Sequence, residues 1–337
     1  MELGEQVGKI LAYGEICDHC LGRFFGKRSF GLRNDERGRG LRVTHALREN
    51  VHYRDHEGTC WICHELFADI GVWADRVAEA LGGIEYTTFL IGTRVPPLMA
   101  ESEELVWSEL GLTGPEPLKS EMNREVGKAV SGRTGKEADL ARPDVVAILD
   151  LAGGTVELEI SPLFFRGRYT KLERGIPQTR WPCRECQGAG CERCDFTGKM
   201  YPDSVEELIG RTAAEAFQAR DAVLHGAGRE DIDARMLGTG RPFVMELVAP
   251  RRRTVDLAAL EEAVNTAAAG RVGVTIDGWS TRREVETLKS EKPHKKYRIS
   301  VEVEGGIARK ELEEALDRLR GVVIAQETPA RVVHRRA

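Results

Sequence analysis

The spacing of apolar side chains divides the chain into two differently patterned halves. From Glu65 to Leu81 the residues Leu66, Phe67, Ile70, Val72, Trp73, Val77, Ala80 and Leu81 recur largely at helical intervals, which predicts an amphipathic helix packed on a core and stopped at Gly82-Gly83. Tyr86 to Val95 reads as a strand ended by Pro96-Pro97. Helices are expected over Ser102–Leu112 and Leu118–Val130, and short β runs over Val145–Leu149 and Val156–Ile160, joined at Gly153-Gly154. This alternation defines an α/β unit. Further on, Asp203-Ser204 is a candidate cap for a helix over Val205–Phe217. Strands are expected at Ala219–Leu224, Phe243–Val248, Val272–Trp279, Arg282–Leu288, Lys296–Val303 and Val322–Glu327, with helices at Leu257–Ala269 and Arg309–Arg320. Helices in that order lie on one face of a mainly antiparallel sheet, an α+β core.

One stretch departs from both patterns. Between His225 and Phe243 the chain is rich in arginine, acid and glycine, so it is read as a loop whose glycines allow unusual backbone conformations. Asp231 has Arg229 two residues before it and Arg235 four after it, positions from which guanidinium groups keep a carboxylate ionised and fit for nucleophilic attack. A solvated turn with surface ion pairs fits the same composition. Upstream, Phe164, Phe165, Arg166, Arg168, Tyr169, Lys171 and Arg174 interleave rings and cations, as stacked bases and phosphates require. A half-buried strand with a charged outer face reads the same way.

The chain has 8 cysteines, all in Cys-x-x-Cys pairs. Cys17, Cys20, Cys60 and Cys63 can supply the four thiolates of a closed structural zinc site, although about 40 residues separate the pairs. That gap carries Arg23, Lys27, Arg28, Arg33, Arg37, Arg39 and Arg42, a basic insertion held at its base by metal. His19, His45, His52, His56 and His64 lie nearby and read mostly as surface or capping residues, with a Cys/His exchange in the ligand set as the fallback. Cys183, Cys186, Cys191 and Cys194 surround Gly188-Ala189-Gly190, which lets the chain double back into a zinc knuckle. Buried or redox cysteines without metal are the alternative in both places.

Composition narrows the partners. At 337 residues there is material for two or three cored domains, and no apolar run approaches membrane-spanning length. Met1-Glu2-Leu3-Gly4-Glu5 lacks the apolar segment of a secretory signal, so the cytoplasm is the expected compartment. A net charge of −5 excludes a uniformly basic nucleic-acid binder; RNA contact must come from local patches at residues 23–42, 251–254 and 289–298.

Gly228-Arg229-Glu230-Asp231 resembles the Gly-Arg-Thr-Asp element of tRNA pseudouridine synthases, and the longer run to Gly240-Arg241-Pro242-Phe243 is similar to the archaeal and eukaryotic family that modifies uridines 54 and 55 in the TΨC arm of tRNA. The resemblance covers essentially the whole chain. It implies a zinc-binding N-terminal region with its basic insertion at 1–65 and a THUMP-like α/β RNA-binding domain at 66–162. It further implies a pseudouridine synthase-like catalytic domain with a mixed or antiparallel sheet at 163–337, with the zinc knuckle inserted at 183–194. The family's nucleophile falls on Asp231, with Asp233 in the same loop as runner-up. Tyr297, in the basic run from Lys292 to Arg298, falls where the family contacts its target uridine; Arg229 is expected to pair with Asp231, and Arg241 and Lys296 to meet phosphates. Isomerisation consumes no cofactor, so zinc at up to two tetra-Cys sites is structural only. The implied partner is tRNA, with no membrane and no obligate protein partner. The family continues into a Gly-Thr-Tyr-Ile-Lys-Glu-like element that has no counterpart before Ala337, which implies a C-terminally incomplete member. Two other readings remain open: a non-catalytic zinc-stabilised tRNA-binding module, and a client binder, since the 183–194 spacing also resembles half a zinc module of DnaJ-type chaperones.

Overall fold

The computed structural model describes residues 2–290 and 296–323, which fall into two units divided between Lys292 and Pro293. In the first unit, α1 (Leu3–Ala12), α2 (Asp18–Arg23) and α3 (Asn34–Arg48) open the chain, so the expected basic insertion contains the whole of α3. Helices α2 and α3 cross at close range because both carry glycine there. A Cβ on Gly22 would stand 1.8 Å from the Asn34 carbonyl oxygen, and one on Gly38 would stand 1.9 Å from that of Asp18. The insertion's arginines are mostly committed within the protein. Arg23 is fully buried against Glu103, Arg37 donates to the backbone carbonyls of Arg28 and Leu32, and Arg42 pairs with Asp18 at 2.9 Å.

Helix α4 (Ile70–Ala80) is the predicted amphipathic helix, burying Trp73, Ala74 and Val77. After β1 (Thr88–Arg94) the pair Pro96-Pro97 starts α5 (Pro97–Glu109) instead of merely ending a strand, since a proline in the first helical turn gives up no hydrogen bond. Then come α6 (Leu118–Thr134), closed by Gly135 at φ 66°, β2 (Glu137–Ala138), β3 (Val145–Asp150) and β4 (Thr155–Ile160). The sheet order is β2-β1-β3-β4, with β1 parallel to β2 and β3 and only β4 antiparallel. Parallel pairing of β1 and β3 needs the long helical crossover that α5 and α6 provide. One apolar core runs from Val7 through Cys60, Trp73, Phe89 and Met122 to Leu149, so the N-terminal helices and this sheet share it.

The second sheet is antiparallel throughout, in the order β6-β7-β5-β8: β5 (Leu163–Lys171), β6 (Asp221–Gly226), β7 (Met236–Val248) and β8 (Val272–Trp279). Phe165, Tyr169, Phe243, Met245 and Leu247 point to one face, covered by α7 (Val205–Ala216) and α8 (Leu257–Ala268). Burial of Phe165, Tyr169 and Lys171 corrects their reading as part of an RNA-stacking strip; Arg166 and Arg168 face outward. The other face carries Phe164 and Val244 and is met by Val285 of α9 (Arg282–Ser290). Residues 282–288 are therefore helix and not the predicted strand.

The second unit contains α10 (Arg309–Leu319), as predicted. Residues 296–303, expected as a strand, form none, and of the expected strand at 322–327 only 322–323 are described, without strand pairing.

Candidate active-site loop and metal centres

Strand β7 begins at Met236, so the loop after β6 is shorter than its composition suggests, residues 227–235. Its far end is shaped by a jump in register: Tyr169 pairs with Arg241 but Lys171 pairs with Met236, so residues 237–240 bulge from β7. Gly240 permits this, at φ 74° and with a Cβ position 2.6 Å from the Tyr169 carbonyl oxygen that no side chain could occupy. Arg168 secures the bulge by donating to the carbonyls of Thr239 at 2.7 Å and Gly240 at 3.0 Å.

The loop is braced from below, chiefly by a strap at residues 172–180 that follows β5. Lys171 has no exposed surface, and its ammonium donates to the carbonyls of Ile176 (2.8 Å), Asp231 (3.1 Å) and Ile232 (3.0 Å). Burial pushes this ammonium below its usual pKa, while Glu230, Asp231 and Asp233 pull the other way. The Gly175 N–H also donates to Ile232, Arg174 donates to the Asp233 carbonyl at 3.0 Å, and Arg229 donates to Thr179 Oγ1 at 2.9 Å.

Two adjacent acids then face opposite ways. Glu230 is turned inward with its side chain 3% exposed; Tyr169 Oη stands 2.8 Å from both its oxygens, and Arg241 Nε stands 2.9 Å from Oε2. Burial pushes the Tyr169 phenol well above its usual range, so it stays protonated and donates to the carboxylate. Asp231 is exposed, with Oδ1 accepting from the Ile232 N–H at 3.1 Å, and Asp233 is exposed as well.

The residues singled out from sequence thus divide. Arg229 and Asp231 share the loop surface, but Arg241, expected to meet phosphate, is 5% exposed and holds the loop through Glu230 and the Ala227 carbonyl (2.6 Å). Tyr297, 77% exposed, and Lys296 belong to the second unit. Two clefts of about 310 and 570 Å³ lie elsewhere in the first unit, the larger lined by Tyr86, Lys136, Arg253 and Trp279. Sequence reasoning missed Glu230, Tyr169, Gln178 and Lys171 as loop supports; the sequence signal for Glu230 was an acid beside Asp231, while Tyr169 and Lys171 sit among the rings and cations of β5 and nothing marked Gln178.

Both cysteine groups are assembled as expected. The sulfurs of Cys17, Cys20, Cys60 and Cys63 lie within 4.8 Å of one another, as do those of Cys183, Cys186, Cys191 and Cys194. Tetrahedral Zn–S bonds of about 2.3 Å place sulfurs about 3.8 Å apart, and the knuckle's Cys183–Cys191, Cys186–Cys194 and Cys191–Cys194 separations are 3.9, 3.8 and 3.7 Å. Both donor sets fit such an ion. At the first site all four cysteines are buried, and burial pushes the Cys20 thiol well up, so thiolates there need a cation. At the second, burial of Cys194 is outweighed by the N–H groups of Cys191 and Gly198, which bring its thiol down to about 6.

Fold and sites together define a mixed α/β protein with a THUMP domain on its N-terminal side and a distinct C-terminal domain behind it. The archaeal Pus10 THUMP domain model matches residues 73–150, and the Pus10 C-terminal model matches residues 164–337. The chain belongs to the Pus10 family. It is 44% identical to the tRNA pseudouridine synthase Pus10 of Methanothrix thermoacetophila, over 98% of this chain and 78% of the relative. It is 43% identical to that of Halorubrum lacusprofundi, over 100% and 81%, and 44% identical to that of Methanothermobacter marburgensis, over 100% and 83%.

Proposed function

We propose that this chain is a tRNA pseudouridine synthase that isomerises uridines 54 and 55 of the TΨC arm in the cytoplasm, with Asp231 as nucleophile. The observation that carries the reading is the geometry of the 227–235 loop: the Glu230 side chain turns into the protein, while Asp231 is exposed on a backbone held by Lys171. In the isomerisation the bond from uracil N1 to ribose C1′ breaks, the uracil turns, and a bond from C5 to C1′ forms. A proton leaves C5 and one is taken up at N1, so nothing is consumed. A carboxylate nucleophile divides this exchange into two easier steps through a covalent intermediate. The target must leave its stack first, and because Asp231 is exposed in the protein, the cover that excludes water arrives with the RNA. Arg229 is assigned to Asp231, Lys296 to phosphate and Tyr297 to the extruded base. Cys17, Cys20, Cys60 and Cys63, and Cys183, Cys186, Cys191 and Cys194, would each hold a zinc ion whose contribution would be structural.

The test uses full-length protein and unmodified tRNA, with pseudouridine mapped at base resolution. Asp231→Ala is expected to lower turnover by at least about a thousandfold while tRNA is still bound, and Asp233→Ala to retain it. The reverse pattern would move the role to Asp233. Turnover in both variants would end the proposal, and salt-sensitive binding without conversion by the wild type would establish a non-catalytic tRNA-binding module instead.

A further inference from the structure

The amide of Gln178 lies at the centre of the contacts beneath the loop. Its Nε2 is 2.9 Å from Tyr169 Oη, 3.0 Å from the Gly228 carbonyl oxygen and 3.4 Å from Glu230 Oε2. The residue is 6% exposed, and its own backbone carbonyl accepts from the Glu206 N–H at 2.9 Å, in the first turn of α7. Glycine at position 226 leaves room for the amide, since a Cβ there would stand 2.7 Å from Nε2.

The donors and acceptors fix a direction. The Tyr169 hydroxyl has one hydrogen and gives it to the Glu230 carboxylate, so its oxygen is free to accept from Gln178; the second amide hydrogen goes to Gly228. One neutral side chain thereby ties the strand phenol to the loop backbone three residues before Asp231, and through the phenol's own hydrogen it is linked to the buried acid next to Asp231. Only a neutral double donor serves at this position. A carboxylate would face Glu230, and an apolar group would leave the Gly228 carbonyl and the Tyr169 oxygen without the amide donor they share.

We propose that Gln178 is a positioning residue of the isomerase, holding the Asp231 loop in register through Gly228, Tyr169 and Glu230. This rests on the reading of Asp231 as nucleophile, but it has a readout of its own.

In Gln178→Glu two carboxyl groups face one another, which raises the pKa of one of them. As the pH falls, protonation supplies an O–H donor where the amide had been. The expected result with full-length protein is a kcat about tenfold or more below wild type at about pH 8. It recovers severalfold at about pH 6, and the KM for tRNA stays within about twofold. Gln178→Met is expected to be impaired equally at both pH values. In parallel, amide hydrogen exchange over residues 228–233 is expected to speed up in Gln178→Met and to remain at the wild-type rate in Asp231→Asn. Tyr169→Phe, which keeps the ring in the core, gives the same exchange readout should Gln178→Glu fail to fold. Wild-type kcat in Gln178→Glu, an equal deficit at both pH values, or unchanged exchange in Gln178→Met would overturn the proposal. Turnover by Asp231→Asn would overturn the nucleophile assignment alone, since the exchange measurement does not depend on it.

Discussion

Arg23 has no exposed surface, and its guanidinium is met by Glu103 and by the Cys20 sulfur 3.5 Å away. Glu103 also accepts from the Leu118 N–H at 3.0 Å, at the start of α6, so one carboxylate joins the turn that carries Cys17 and Cys20 to a helix of the neighbouring sheet. A buried ion pair is no measure of net stability, but removing one partner strands the other charge. Glu103→Gln is expected to lower unfolding free energy by about 3–5 kcal/mol in reversible chemical denaturation; a change within about 0.5 kcal/mol, typical of a surface site, would show that the pair carries no weight. Similar logic separates Glu230 from Asp231. Adjacent in sequence and alike in chemistry, they differ because only the first can reach Tyr169 and Arg241.

At the scale of elements, the two cysteine groups share a spacing motif and differ in shielding. The N-terminal group is built at the start of α2, where Cys17 caps the helix by accepting from the Cys20 N–H, and all four residues are buried. The knuckle between Trp181 and Met200 is a small excursion with Cys186 and Cys191 half-buried. Graded chelation of the metal-loaded protein is therefore expected to remove metal from the knuckle first and to leave the N-terminal ion in place until the chain unfolds. Metal content after each step, with the freed cysteines located by alkylation, reads the order; simultaneous loss would contradict the shielding argument. Elements also mark how far pattern alone reaches. Helix α4 was legible because its apolar stripe is wide enough to specify a period. Helix α9 was not, because Val285 is its one buried residue and a short polar segment shows no decisive periodicity.

Across the first unit, the two sheets are joined by a few polar contacts around residue 85. The Glu85 N–H donates to the Arg251 carbonyl at 2.8 Å, and its carboxylate accepts from the N–H groups of Arg253 (2.7 Å) and Thr254 (2.8 Å). Arg253 in turn pairs with Asp144 at 3.0 Å and donates to the Ser161 carbonyl at 2.9 Å. The N–H groups of Arg253 and Thr254 hold the Glu85 carboxyl below the usual glutamate range. Its contribution is therefore fully present above about pH 4.3, the unfolded value, and is lost as pH falls through the lower folded-state value. The difference in Tm between wild type and Glu85→Gln should shrink over that acid window; a constant difference would mean that the carboxylate charge is not what joins the sheets.

The one-dimensional chain settled whatever depends on neighbours in sequence: the period of α4, α6, α7 and α8, the arginine-rich loop around Asp231, the paired cysteine spacing and the resemblance to a tRNA-modifying family. Short-range spacing suffices there, because helical period, backbone freedom at glycine and the reach of two thiols are local properties. Which acid of Glu230 and Asp231 turns inward, which cations are held within the protein, and what supports the loop were decided only by tertiary structure. Those outcomes depend on Tyr169 and Gln178, 61 and 52 residues before Glu230, and on Arg241 of β7 just after the loop, and burial is a property of that assembly and not of any one segment.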